Sequence, residues 1–265
     1  MRVALIQMNS QNDYRHNLEQ AGIFLADAAR QGATYALLPE NFAFFGSEQE
    51  KKSIGSTIDE AARNFLRESA AKLKMTITGG GMPVLASSGK YYNAAITFAA
   101  DGSELHRYDK LHLFDVAPGD NVTYQESRGT EYGAGALALL DLPPFSFGMT
   151  ICYDVRFPVL YRRYARLGAN VLCVPAAFTK LTGAAHWHTL LRARAIENTC
   201  YVIAAAQTGS HFSGRETFGH SIVYDPWGEI VAELPERPGV LIADLSIERV
   251  REVRARMPSL SHDQI

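Results

Sequence analysis

The chain has 265 residues, 47% hydrophobic and 20% charged, the composition of an ordinary soluble globular protein rather than a disordered or fibrous one. Its 26 Lys and Arg nearly balance 28 Asp and Glu for a formal charge of −2, which leaves no basic footprint for nucleic acid or an anionic membrane. Cysteines stand only at 152, 173 and 200, without a disulfide framework or a C-x-x-C pair, and no apolar run reaches the ~18 residues of a membrane span, so a cytoplasmic protein is expected.

Short apolar runs alternate with amphipathic segments, without repeats or low-complexity stretches, which predicts one α/β domain over residues 1–265. A first strand is expected over Val3 to Met8. Leu18, Ala21, Leu25 and Ala28 recur at helical spacing before a second strand, Tyr35 to Leu38. Thr57 with Glu60 three residues on reads as a capping box ahead of Ala61, Phe65 and Leu66. Strands follow over Met75 to Thr78 and Ala94 to Phe98, and Gly79-Gly80-Gly81 reads as close packing at a strand end or bulge. Asp101-Gly102 marks a tight turn. Further strands are expected over Phe145 to Ile151, Val171 to Val174, Tyr201 to Ala206, Ser221 to Tyr224, Glu229 to Ala232 and Val240 to Ala243. Among them lie a helix from Pro158 to Gly168, one carrying Trp187, Leu190 and Leu191, and one from Ser246 to just before Pro258. Trp227-Gly228 is a second turn signal, and the two turns imply mixed sheets.

Phosphate-loop, G-x-G-x-x-G, H-E-x-x-H and G-x-S-x-G patterns are all missing. His186 and His188 are two apart on a helix and point to different faces, so a shared metal is not expected there. Cys152, by contrast, follows the strand run ending at Ile151 and precedes the helix at Pro158. At such a junction the helix N-terminus and Arg156 are expected to favour a thiolate, against the alternative of a small buried hydrophobe. Cys173 and Cys200, inside apolar runs, belong to the core. Glu40 ends a buried strand, where desolvation would raise its pKa toward that of a general base, unless it only satisfies a turn. Lys110 lies in a half-apolar segment, either functional or a surface lysine paired with Asp109.

Leu38-Pro39-Glu40, Asp109-Lys110-Leu111-His112 and Cys152-Tyr153-Asp154-Val155-Arg156-Phe157-Pro158, in that order, resemble the nitrilase superfamily of carbon–nitrogen hydrolases. The resemblance continues through Thr182 to Trp187, Leu191 to Glu197, Gly219-His220-Ser221 and Asp225-Pro226-Trp227-Gly228, and so covers nearly the whole chain. It implies a four-layer α-β-β-α sandwich of two mixed sheets and a Glu-Lys-Cys catalytic set at Glu40, Lys110 and Cys152. A second glutamate of such sites falls on Glu126, with Glu131 as the competitor. On that reading Glu40 takes the thiol proton, and Lys110 with the backbone N–H of Tyr153 steadies the oxyanion. A thioester on Cys152 is then hydrolysed, with no metal or organic cofactor.

The resemblance also implies a small amide substrate bearing a carboxylate. Arg156 falls on a carboxylate-binding position, an ion pair with Asp154 being its structural alternative. Phe178 and Thr182 fall on pocket positions, and His186 and Trp187 are expected in the pocket wall. The expected activity is hydrolysis of deaminated glutathione to 2-oxoglutarate and cysteinylglycine, the alternatives being an omega-amidase acting on α-ketoglutaramate and a non-catalytic binding protein. A homodimer is expected by the same likeness, with its interface near the helix after Cys152, although the end from Met257 to Ile265 lacks the basic continuation of relatives.

Overall fold

Alternation along the first strands sets up the layers. In β1 (Arg2–Gln7), Val3 and Leu5 enter one apolar core and Ala4 and Ile6 another, because successive side chains of a strand point to opposite faces. The same split divides Tyr35 and Leu37 from Ala36 in β2 (Tyr35–Leu37). A strand buried on both faces needs a layer on each side, and this computed structural model, which describes residues 1–119, 123–262 and 264, supplies them.

The first sheet has seven strands. Its order is Gly239–Asp244, β1, β2, β3 (Thr76–Leu85), β4 (Tyr91–Phe98) and β5 (Glu104–Asp109), with Thr130–Glu131 also alongside β4. β1, β2 and β3 run parallel, while β4 and β5 are joined as antiparallel hairpins, so the sheet is mixed. The second sheet, also mixed, has six strands in the order Ile230–Leu234, Ser221–Tyr224, Tyr201–Ala204, Val171–Cys173, Phe145–Met149 and Leu139–Leu142. Tyr35 of the first sheet packs on Phe147 of the second with ring centroids 4.9 Å apart.

Helices α1 (Tyr14–Arg30) and α2 (Glu48–Leu73) cover the first sheet through Ala21, Leu25, Ala28, Ile58, Ala62 and Leu66. Helices α3 (Pro158–Leu167) and α4 (Lys180–Asn198) cover the second through Leu160, Tyr161, Tyr164, Trp187, Leu191 and Ala195. The result is the α-β-β-α sandwich expected from the sequence. The helix α5 (Ile247–Arg256) is capped by Ser246, whose hydroxyl accepts from Arg249 N at 3.3 Å. Among the described residues no helix is long and apolar enough to cross a membrane.

Two expectations are corrected. The capping box of α2 is Ser47 with Glu50, not Thr57 with Glu60, which lie inside the helix. Glu50 Oε2 accepts from Ser47 N at 2.8 Å and Ser47 Oγ from Glu50 N at 3.2 Å, so the same S/T-x-x-E pattern acts ten residues earlier. β5 and Leu139–Leu142 are additional strands at sheet edges, β5 disguised by its polar residues and Leu139–Leu142 by its length of four residues. The glycine run, expected as close packing at a strand end or bulge, is the bulge: β3 continues through it, with the pairing to β4 shifting between Gly79 and Met82.

Candidate active site

That bulge makes room for Glu40. Gly80 lies against Pro175 and the carbonyl of Leu38, where a Cβ would fall 2.2 and 2.3 Å from their atoms. Gly81 has φ +78°, and its Cβ would sit 2.8 Å from both Glu40 Cγ and Asn93 Oδ1. Its carbonyl accepts from Asn41 N at 2.8 Å, with Asn41 itself at φ +60°, so β3 fixes the turn that carries the acid out of β2. Glu40 is buried. Its Oε1 accepts from Lys110 Nζ and Asn93 Nδ2, each at 2.9 Å, and its Oε2 from Ala177 N at 2.9 Å.

Lys110 follows β5 directly, and its backbone is held on both sides, its N–H donating to Asn93 O and its carbonyl accepting from Gly133 N, each at 2.9 Å. The side chain is 2% exposed, and the surface pairing with Asp109 is not made, since Asp109 accepts from Arg107 instead. The ammonium donates to Glu40 and to both oxygens of Glu126, at 3.1 and 2.9 Å. Burial opposes its charge, but Glu126 and Glu40 outweigh burial and hold its pKa well above the ordinary lysine value. Glu126 also accepts from Asn93 Nδ2 at 3.0 Å and Phe114 N at 2.7 Å. Against burial, Lys110 and these donors keep its pKa below the usual carboxylate value. Glu131 is elsewhere, bound to Ser88 Oγ.

Cys152 opens a 3₁₀ turn, Cys152–Arg156, between the strand Phe145–Met149 and α3. Its φ of +48° is a left-handed conformation that costs a non-glycine residue about 1–2 kcal/mol, and its N–H is pinned to Pro175 O at 2.9 Å. Asp154, fully buried, holds the turn from beneath. One oxygen accepts from Ile151 N (2.9 Å) and Tyr108 OH (2.7 Å), and the other from His112 N (3.1 Å) and lies 2.7 Å from His112 Nδ1. Tyr108 and His112 flank Lys110, so this one carboxylate ties the Cys152 turn to the Lys110 segment. It does not pair with Arg156.

Burial, together with the neighbouring Glu40 carboxylate, pushes the Cys152 thiol well above the ordinary cysteine value, against the pull of Lys110. The expectation of a standing thiolate is therefore corrected. Arg156 is turned toward the Tyr153 and Phe178 rings, 5.7 and 5.3 Å from their centroids, and the Glu40 charge acts on the thiol more strongly than that of Lys110. A neutral thiol beside the Glu40 carboxylate is the resting arrangement. Cys173 and Cys200 are free and fully buried, their thiols pushed up by burial to about 12 and about 11.

Glu40, Lys110, Glu126 and Cys152 share one cavity of about 260 Å³, whose wall includes Tyr153, Phe178, Thr182, Tyr124 and Arg215. Arg156, His186 and Trp187 are not on that wall. Trp187 is fully buried behind it, its ring 5.0 Å from Phe178 and its indole N–H donating to His220 O at 2.8 Å. His186 is exposed, with Nδ1 3.3 Å from Arg156 Nη2. Asn93, Asp154 and Arg215 are the site residues that sequence reasoning missed. Asn93 left a trace as a lone amide in the apolar run Tyr91 to Phe98. Away from the cavity, His188, His220 and Glu233 bring three metal-ligand atoms within 4.8 Å of one another. Both imidazoles lie within hydrogen-bond distance of the same Glu233 oxygen, at 2.9 and 2.6 Å, an arrangement complete without an ion.

Comparisons with known proteins agree with this geometry. The family model for carbon-nitrogen hydrolase matches residues 2–255. A deaminated glutathione amidase of Synechocystis sp. is 48% identical over 262 residues, covering 98% of this chain and 96% of its own length. The crystal structure of the NitFhit protein of Caenorhabditis elegans superposes with a TM-score of 0.94 at 38% identity, over 99% of this chain and 65% of that one. A Saccharomyces cerevisiae member of branch 10 of the nitrilase superfamily gives a TM-score of 0.87 at 33% identity, over 97% of this chain and 94% of that one. With this match over nearly its whole length, the chain belongs to the carbon-nitrogen hydrolase family of the nitrilase superfamily, and is a hydrolase of carbon–nitrogen bonds other than peptide bonds.

Proposed function

We propose that the enzyme is an amidase for deaminated glutathione, releasing 2-oxoglutarate and cysteinylglycine through a thioester on Cys152. The observation that carries the reading is the convergence of a neutral Cys152 thiol, the Glu40 carboxylate and the doubly paired Lys110 ammonium in one cavity. The 48% identity to an amidase named for that substrate supports the choice of amide.

As the sulfur attacks the amide carbonyl, its proton passes to Glu40. The negative charge moves from the carboxylate to the sulfur and then to the carbonyl oxygen, so the cluster's net charge stays constant while Lys110 remains an ammonium. The Tyr153 N–H, at the open N-terminal end of the turn, and Lys110 serve the oxyanion; losing one such donor typically costs ~10²–10³ in rate. Glu40 then gives its proton to the departing amine, the C–N bond breaks and cysteinylglycine leaves. A water, deprotonated by Glu40, attacks the thioester, and the thiol is restored as 2-oxoglutarate departs. Glu126 does not transfer a proton: its two contacts with Lys110 fix the ammonium's position and charge.

A cytoplasmic setting belongs to the same proposal, since a reducing compartment keeps a thiol nucleophile from oxidation. The test is formation of 2-oxoglutarate from deaminated glutathione by wild type and Cys152→Ala. Turnover by wild type alone supports the proposal, and higher kcat/KM with α-ketoglutaramate would make the protein an omega-amidase instead.

A further inference from the structure

Two cations on the cavity wall have no role in the chemistry above, Lys51, which is paired with Glu48 at 2.7 Å, and Arg215. Arg215 lies just beyond a 3₁₀ turn, Phe212–Gly214, that joins the paired strands Thr208–Ser210 and Glu216–Phe218. Its loop is built firmly. His211 N donates to Arg215 O at 2.8 Å, and the buried His211 ring bridges Ser10 O and Thr217 Oγ1 at 2.7 and 2.6 Å.

The guanidinium stands over two aromatic rings, 4.9 Å from the centroid of Phe45 and 5.0 Å from that of Tyr124. Among the described residues its one hydrogen-bond acceptor is Ala177 O, at a long 3.4 Å, and its buried Nε has no partner. Ala177 is also the residue whose N–H holds the Glu40 carboxylate. The acid next in sequence, Glu216, is taken by Lys180 at 3.0 Å. A guanidinium carries five N–H donors in a planar fork suited to a carboxylate, so this one is poised and unused.

Its place in the cavity system indicates which carboxylate. Arg215 lines the cavity of Cys152 and Lys110 and also an adjoining cavity of about 440 Å³ that contains neither of them. Gly46, Tyr124 and Thr179 line both as well. The catalytic cavity alone falls just below the ~300–1,000 Å³ typical of small-molecule sites, so a substrate with a peptide tail would extend past this junction. From the scissile nitrogen, the two residues of cysteinylglycine reach about 7 Å to their terminal carboxylate. The substrate carries a carboxylate at each end. Of the three guanidiniums beside cavity-lining rings, Arg107 is paired with Asp109, whereas Arg156 and Arg215 have no carboxylate partner among the described residues.

We propose that Arg215 forms a second carboxylate site, at the junction of the two cavities, which binds the C-terminal carboxylate of the leaving peptide and so selects peptide amides over primary amides. This rests on the amidase reading of the catalytic cavity. α-Ketoglutaramate presents the same acyl group with ammonia as leaving group, and it has nothing to offer Arg215.

The test is kcat/KM for deaminated glutathione and for α-ketoglutaramate with wild type, Arg215→Ala and Arg215→Lys. Arg215→Ala is expected to lower the ratio of the two by about 10- to 100-fold, mostly through KM for the peptide substrate, and Arg215→Lys to restore part of it. Wild type is also compared on deaminated glutathione whose terminal carboxylate is replaced by a primary amide, a measurement that needs no variant to fold. The expected loss there matches that of Arg215→Ala, and the variant loses little more on the capped substrate. An unchanged ratio, or wild type indifferent to the cap, overturns the carboxylate site while leaving the amidase reading in place. Wild type inactive on deaminated glutathione yet active on α-ketoglutaramate overturns the substrate reading and this site with it.

Discussion

Glu40→Gln separates what the base does from what its charge does. The substitution keeps the shape of a side chain that receives Lys110 Nζ and Asn93 Nδ2 on one oxygen and Ala177 N on the other, all at 2.9 Å. A glutamine has one acceptor oxygen. Turned toward Lys110 and Asn93, it sets its amide N–H₂ against the Ala177 N–H, and a buried donor left without an acceptor costs roughly 1–3 kcal/mol. At about 2–4 °C per kcal/mol for a protein near this size, thermal scanning is expected to show a fall of roughly 2–12 °C with the fold intact. Activity falls much further, by ~10²–10⁴, because no group remains to carry the proton from the thiol to the leaving amine. The thiol moves the opposite way. After burial, the Glu40 charge is the largest influence raising the Cys152 pKa, and Lys110 is left to pull it down. Thiolate absorbance followed against pH is therefore expected to rise at lower pH in the variant, which ionises more readily and yet turns over poorly. An unchanged or higher midpoint, or more than a tenth of wild-type activity, would refute the reasoning.

Three further outcomes follow from the same contacts. Asp154→Asn keeps one acceptor oxygen where two serve Ile151, Tyr108 and His112, so denaturant unfolding is expected to show a loss of about 2–4 kcal/mol, with slower turnover as the nucleophile and lysine segments part. Gly81→Ala sets a Cβ against Glu40 Cγ and Asn93 Oδ1 at φ +78°, and its kcat is expected to drop at least tenfold, since the displaced atoms are those of the base and its partner. Burial pushes the His211 imidazole down to about 4. Stability from keeping it neutral is complete above the unfolded value near 6.5 and is lost as pH falls to about 4, roughly 3 kcal/mol in all. Denaturation at pH 7 and pH 4 is expected to show that slope in wild type and a shallower one in His211→Gln.

The layers of the fold were legible because they rest on local pattern. Val3 to Ile6 and Tyr35 to Leu37 announce buried strands by unbroken apolar runs, and Pro158 with Gly168 brackets α3 by backbone restriction at one end and a left-handed cap, φ +109°, at the other. Edges such as β5 carry polar residues that write no such pattern. Glu40, Lys110 and Cys152, which the structure gathers in one cavity, were singled out through the order of their short motifs, and their isolated flanks left bland alternatives standing. What stayed hidden depends on distance in sequence. Asn93 matters because β4 brings its amide between Glu40 and Glu126, and Arg215 because a ribbon over a hundred residues past Glu40 returns to the cavity. Trp187 was misplaced because a helix with apolar residues on several faces does not say which face meets the pocket. The Cys152 charge state was misjudged for a related reason. Arg156, four residues away in sequence, turns to aromatic rings, while Glu40, over a hundred residues away, shares the cavity with the sulfur and raises its pKa.

The central claim is a thioester on Cys152, and the most direct measurement is an acid quench of wild type during turnover of deaminated glutathione, followed by intact mass and peptide mapping. The account predicts an enzyme heavier by one 2-oxoglutaryl group carried on the peptide containing Cys152, and no such adduct in Cys152→Ala. Product formation with no covalent adduct, or an adduct mapped to any other residue, would contradict it.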